Sequence, residues 1–241
     1  KLHFSHGISL QLLKDIGHAN GGAKVNDVVM TLVTGAIRRY MEARNFDVPP
    51  SMKTSVTCTI NARKMKTQPR IVKEEDFGMK SANLYVPVPV AEKDPVKRLS
   101  QIKKIMDRFK SSPVRWTLAF NSAVAEFAMS KTQMAVDQMH ELICGDKYSP
   151  WNKTLFLSNI FGPPDKVTVA GCEVESIRGM VSIPNSLVAM SYAGQMYFTY
   201  CSDSYHVPDG EFWIELLENE MSVLKKTLEV PQMSNGAILS N

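Results

Sequence analysis

Cysteine is scarce: Cys58, Cys144, Cys172 and Cys201 are the only four in 241 residues, and they stand far apart. There is no Cys-x-x-Cys and no Cys/His zinc spacing. That argues against a disulfide framework or a structural zinc, and for free, mostly buried thiols in a reducing compartment. Long apolar runs are also missing, and none reaches the roughly 18 uncharged residues of a bilayer-spanning helix. The chain opens Lys1-Leu2-His3-Phe4-Ser5, with neither Met nor an apolar leader, so it is expected to start within a longer protein. No Gly-x-Ser-x-Gly, no glycine-rich phosphate loop and no metalloprotease His pair occurs. Positive charge is in slight excess, +4, with no basic stripe interleaved with aromatics, which speaks against nucleic acid.

Histidine is sparse as well. His3 and His6 are three apart, so on a strand they face opposite ways, and no third ligand lies near; no metal is expected. His206 followed by Asp209-Gly210 comes nearest to a catalytic His/Asp couple. A turn and a helix cap account for both residues.

What is present is ordinary globular material, 44% hydrophobic and 22% charged, enough for a sizeable core. Leu2 to Ile8 reads as a short strand. Ser9 can cap a helix carrying Leu12, Leu13 and Ile16 that ends at Asn20-Gly21-Gly22. The clearest helix carries Val25, Val29, Leu32, Val33, Ala36, Ile37 and Tyr40. Asn26 is expected at its N-cap and Asp27 in its first turn, with Arg38, Arg39 and Arg44 suiting the C-terminal end of the dipole. Lys53 to Ile60 reads as a strand. Ala82 to Val86 reads as an edge strand running into Pro87 and Pro89.

Asp94-Pro95 starts a helix. Its basic group of Lys97, Arg98, Lys103, Lys104, Arg108 and Lys110 is expected on a solvated face. Further helices are expected around Trp116 to Phe127 and from Thr132. Lys166 to Ala170 alternates and turns at Gly171. Ser186 to Tyr192 and Gln195 to Cys201 form a hairpin around Ala193-Gly194. Asp209 can cap a last helix carrying Phe212, Leu216, Leu217, Met221, Leu224 and Leu228. Gln232 to Asn241 reads as a loose tail, leaving 1–230 as one domain. Helices grouped before strands imply a mixed α/β (α+β) sheet with flanking helices.

Leu155-Phe156-Leu157-Ser158-Asn159-Ile160-Phe161-Gly162-Pro163-Pro164 organises the rest. It begins as an apolar strand at Thr154, turns polar at Ser158 and Asn159, and stops at a rigid Gly-Pro turn. Such a stretch delivers polar groups to one fixed place at a sheet edge, and equally makes a sharp corner.

Lys24-Val25-Asn26-Asp27-Val28-Val29, Asp94-Pro95 with Arg98-Leu99, Ser158-Asn159-Ile160-Phe161-Gly162-Pro163, and Ser191-Tyr192-Ala193-Gly194 followed by Asp203 occur in that order. Taken together, across roughly residues 8 to 230, they resemble the C-terminal domain of the wax ester synthase/diacylglycerol acyltransferase (WS/DGAT) family. Ile160-Phe161 stands where the family usually has Val-Pro, and Met79 where it often has Asn after Gly78. The resemblance implies a chloramphenicol acetyltransferase-like fold of two similar domains with a tunnel between them. The family's His-His-x-x-x-Asp-Gly motif belongs to the other, N-terminal domain and has no counterpart here, so the implied general-base His is in a domain absent from this chain.

The resemblance further implies acyl-CoA as co-substrate, no tightly bound cofactor, a long-chain alcohol or diacylglycerol as acceptor, and wax ester or triacylglycerol as product. It implies an intracellular protein at a membrane or lipid droplet, at the endoplasmic reticulum if eukaryotic. Asn159 is the implied oxyanion donor, with Asn26 as a second candidate. Ser158 belongs to the same motif, Gly162 and Pro163 would fix the turn, and Asp27 would support the helix and interface. The rival expectations are a non-catalytic lipid-binding or interaction module, an enzyme of the same fold acting on a non-lipid alcohol or amine, and a membrane-surface adaptor using the basic helix.

Overall fold

The computed structural model describes residues 1–52, 54–61, 81–111 and 153–230. The order of elements is β1 (Leu2–Phe4), β2 (Ile8–Ser9), α1 (Leu10–Ala19), α2 (Val25–Ala43), β3 (Thr54–Asn61), β4 (Ser81–Val88) and α3 (Pro95–Ser111). Then come β5 (Lys153–Phe161), β6 (Thr168–Val169), β7 (Cys172–Glu173), β8 (Ser186–Tyr192), β9 (Gln195–Cys201) and α4 (Gly210–Thr227). The helices expected around Trp116 and from Thr132, together with Gly78-Met79, Cys144 and the tail, lie outside the described residues.

Among the described residues a mixed sheet runs β1-β9-β8-β5-β3-β4, with β2 also pairing β9. β5 is parallel to both β3 and β8, and the outer pairs are antiparallel. Alternation turns Val56 and Cys58, Leu84 and Val86, Leu155 and Leu157, Leu187 and Ala189, and Phe198 and Tyr200 into one core with the helices. α2 is buried almost all round from Asp27 to Arg38. It is the middle helix, flanked by α1, α3 and α4. A helix apolar on every side is stable only in such a place.

Local chemistry explains the element ends. The Ser9 hydroxyl accepts from the Leu12 N–H at 3.3 Å. Asp94 Oδ1 accepts from the N–H groups of Val96 and Lys97 at 2.8 and 3.1 Å, as a cap should. β4 is an edge strand, where Pro87 costs little. The β8–β9 turn has φ 45° at Ala193 and 77° at Gly194, the pair of positive values a two-residue hairpin requires. Ala170 and Gly171 repeat this between β6 and β7, at 51° and 81°.

Several expectations are corrected. β5 runs unbroken through the polar pair Ser158-Asn159 to Phe161 and ends at the Gly-Pro turn as expected, but it is central rather than at a sheet edge. Parallel pairing to β8 carries Ser158 through Phe161, so ladder bonds override their weak local preference. The first strand is split into β1 and β2. The Asp209 side chain does not cap α4; its carboxylate accepts from the Tyr40 hydroxyl at 2.6 Å and pairs with Arg44. Arg98 leaves the solvated face of α3 and is 1% exposed. Of the described thiols Cys58 is buried, Cys201 half-buried and Cys172 exposed. Burial pushes the Cys58 thiol up to about 12.

Candidate functional site

Leu155 and Leu157 of β5 enter the core beneath the helices. Asn159, two residues on, faces the same way. It meets the first turn of α2, where its Nδ2 donates to Oδ1 of Asn26. Asn159 is half-buried and Asn26 exposed, so the pair lies where the core opens to the surface. The other amide atom, Asn159 Oδ1, is buried and has no hydrogen-bond partner among the described residues. An unpaired buried acceptor costs about 1–3 kcal/mol, which a donor arriving there would cancel.

Asn26 is not the cap of α2. Lys24 holds that position in extended conformation, with φ −86° and ψ 162°, and Asn26 is the second helical residue. Asp27, third in the helix and 1% exposed, does the capping in reverse: its Oδ2 accepts from the Lys24 N–H at 2.8 Å. Its Oδ1 stands 3.4 Å from Lys110 Nζ at the end of α3. An anion in this first turn is stabilised by the helix dipole. Both carboxylate oxygens have partners, so Asp27 offers no free base.

Gly162 and Pro163 anchor the strand end. The Gly162 N–H donates to the Ser191 carbonyl at 3.0 Å, and the Pro163 carbonyl accepts from the Ala193 N–H at 3.0 Å. A Cβ at Gly162 would run into the Ser191 carbonyl oxygen, so only glycine fits. Ser158 does not join the cluster: it pairs with Val188 in register and faces the opposite side of the sheet from Asn159.

The cluster can therefore donate, accept and orient, but among the described residues it carries no titratable group free for proton transfer. His206 lies elsewhere and pairs with Asp203 at 2.5 Å, not with Asp209. His3 contacts Ser202 and His6 contacts Glu218. No three His, Cys, Asp or Glu among the described residues group as a metal site.

Sequence reading missed two features. One is Lys110, which reaches Asp27 from another helix. The other is Glu220, fully buried on α4 and bonded to Arg98 and, at 2.6 Å, to Arg39. Its signal was available: an acidic residue beside Leu217, Met221 and Leu224 on the apolar stripe of a helix.

Residues 78–225 match the family model described as the WS/DGAT C-terminal domain. Wax ester synthase/diacylglycerol acyltransferase 10 of Arabidopsis thaliana is 25% identical over 229 residues, covering 85% of this chain and 45% of that protein. Among solved structures, the wax ester synthase/diacylglycerol acyltransferase from Marinobacter aquaeolei VT8 superposes with a TM-score of 0.63 at 19% identity, covering 95% of this chain and 50% of that one. The trichothecene 15-O-acetyltransferase from Fusarium sporotrichioides gives 0.56 at 13%, covering 93% and 46%. At such identities the structural likeness speaks for the fold. The chain spans about half the length of these proteins.

Proposed function

The chain belongs to the WS/DGAT C-terminal domain family, and from that premise we propose that residues 1–230 are the C-terminal half of an acyl-CoA-dependent O-acyltransferase. It moves a fatty acyl group from CoA to a long-chain alcohol or diacylglycerol, giving wax ester or triacylglycerol. The complementary N-terminal half supplies a histidine base. That base takes the alcohol proton, the alkoxide attacks the thioester carbonyl, and the tetrahedral intermediate collapses to the ester and the CoA thiolate, which regains the proton. This half forms one wall of the tunnel, and its work is binding and charge stabilisation. The enzyme acts at an intracellular membrane or lipid-droplet surface; no described helix is long and apolar enough to cross a bilayer.

The observation that carries this reading is the Asn159 amide. Asn26 takes one of its two amide hydrogens and leaves the other for the developing oxyanion. Its buried Oδ1, unpaired among the described residues, is an acceptor for an amide N–H of the CoA arm.

The test is thiol release from a long-chain acyl-CoA and a long-chain alcohol by this chain assembled with its N-terminal half. Asn159→Ala is expected to lower kcat about 10²-fold with unchanged thermal stability. Full turnover in that variant would remove Asn159 from the mechanism. Acyl-CoA binding without thiol release by the assembled protein would leave a lipid-binding module instead.

A further inference from the structure

The helix layer holds a second polar centre, apart from the Asn159 cluster. Arg38 and Arg39 of α2, Arg98 of α3, Lys93 before it and Glu220 of α4 line a cavity of about 130 Å³ with Gly35 and Glu42. Its nearest lining residue on α2, Gly35, lies about 13 Å along the helix from Asn26, from the helical rise. Four cationic side chains face two carboxylates there, an excess of two positive charges.

The carboxylates are already engaged, Glu220 by Arg98 and Arg39 and Glu42 by Arg38 at 2.5 Å. Arg38 also donates to the Val90 and Ala91 carbonyls, at 3.1 and 2.9 Å. Arg98 donates from Nη1 to the Glu92 carbonyl at 2.6 Å, but its Nε is buried without a partner among the described residues. Burial, with the added charge of Arg39 and Arg38, pulls the Arg98 guanidinium down to about 10. Lys93 is exposed and has no ion-pair partner among the described residues.

We propose that this cavity binds a phosphate group, held by Lys93 and Arg39 at the rim and by the unpaired Nε–H of Arg98 within. Guanidinium groups present fixed donors that match tetrahedral oxyanions. The volume is below the roughly 300–1,000 Å³ of sites for drug-sized ligands and suits one oxyanion. The phosphate can be free or belong to a lipid headgroup.

The probe is inorganic phosphate, titrated at constant ionic strength against chloride, with thermal stability of the chain as the signal. Phosphate is expected to raise Tm saturably while chloride does not. Lys93→Gln combined with Arg39→Gln should weaken the apparent affinity about tenfold or more. Lys93→Gln alone, at an exposed and unpaired side chain, keeps the fold and should still weaken binding measurably. Equal shifts by phosphate and chloride, or unchanged affinity in Lys93→Gln, would overturn the site. Phosphatidylcholine vesicles with and without phosphatidic acid identify the source. Competition only by the phosphatidic acid vesicles assigns a lipid headgroup, and none assigns free phosphate. The readout needs no turnover, so it stands or falls apart from the acyl-transfer reading.

Discussion

Gly35 lies mid-helix in α2, where glycine costs about 1 kcal/mol relative to alanine. Here that cost is offset by proximity. An added Cβ would run into the Glu220 side chain, which must come this close to bond Arg98 and Arg39. Gly35→Ala is therefore expected to lower stability by about 1–3 kcal/mol, against its helix propensity. Urea unfolding would read the change as a lower midpoint at constant slope, and a stabilised Gly35→Ala would mean that Glu220 can move aside. Glu220→Ala should cost more, about 3–5 kcal/mol, because it strands the buried Arg98 charge. At this scale legibility was uneven. Asp94 and Ser9 announce their roles through immediate neighbours. Arg98 does not: its sequence surroundings are those of a solvated face, and the carboxylate that buries it lies on another helix.

At the scale of elements, the ends of α2 and α4 are tied by one carboxylate. Burial alone would raise the Asp209 carboxyl, but hydrogen bonds from Arg44 and Tyr40 outweigh it and hold the group below its ordinary value. A carboxyl depressed in the folded state contributes stability that is complete above the unfolded value, near 4, and is lost as pH falls through the folded value. Asp209→Asn should thus lower Tm at neutral pH and flatten the acid limb of the Tm–pH curve. An acid limb identical to wild type would show the contact carries no net stability. The sequence places Asp209 correctly at the start of α4 but not its bonds, since capping and long-range pairing compete for the same oxygens. Hairpins were legible because Ala193-Gly194 and Gly171 signal the turns locally. The central place of β5 was not, because parallel pairing to β3 and β8 is set by strands far along the chain.

At the scale of the whole molecule, the chain corresponds to about half of its relatives, and the proposed enzyme needs the other half. The strand that positions Asn159 ends in Phe161, which is 76% exposed beside Gly162, with Ile160 at 39%. Large apolar side chains exposed next to a site mark a surface that another body covers. Here the occupant follows from the proposed function: the N-terminal half closing over the end of β5. Phe161→Asp is accordingly expected to weaken association of the two halves at least about tenfold, since it removes an aromatic anchor and buries a charge. Because Phe161 is solvated in this chain, its own Tm should change little. Analytical ultracentrifugation of the mixed halves reads the first quantity and thermal unfolding of this chain the second. Unchanged association would put the complementary half elsewhere, and Asn159 would then face solvent rather than a tunnel. Lost association with intact turnover at saturating concentration would instead show that this contact assembles the enzyme without shaping its chemistry.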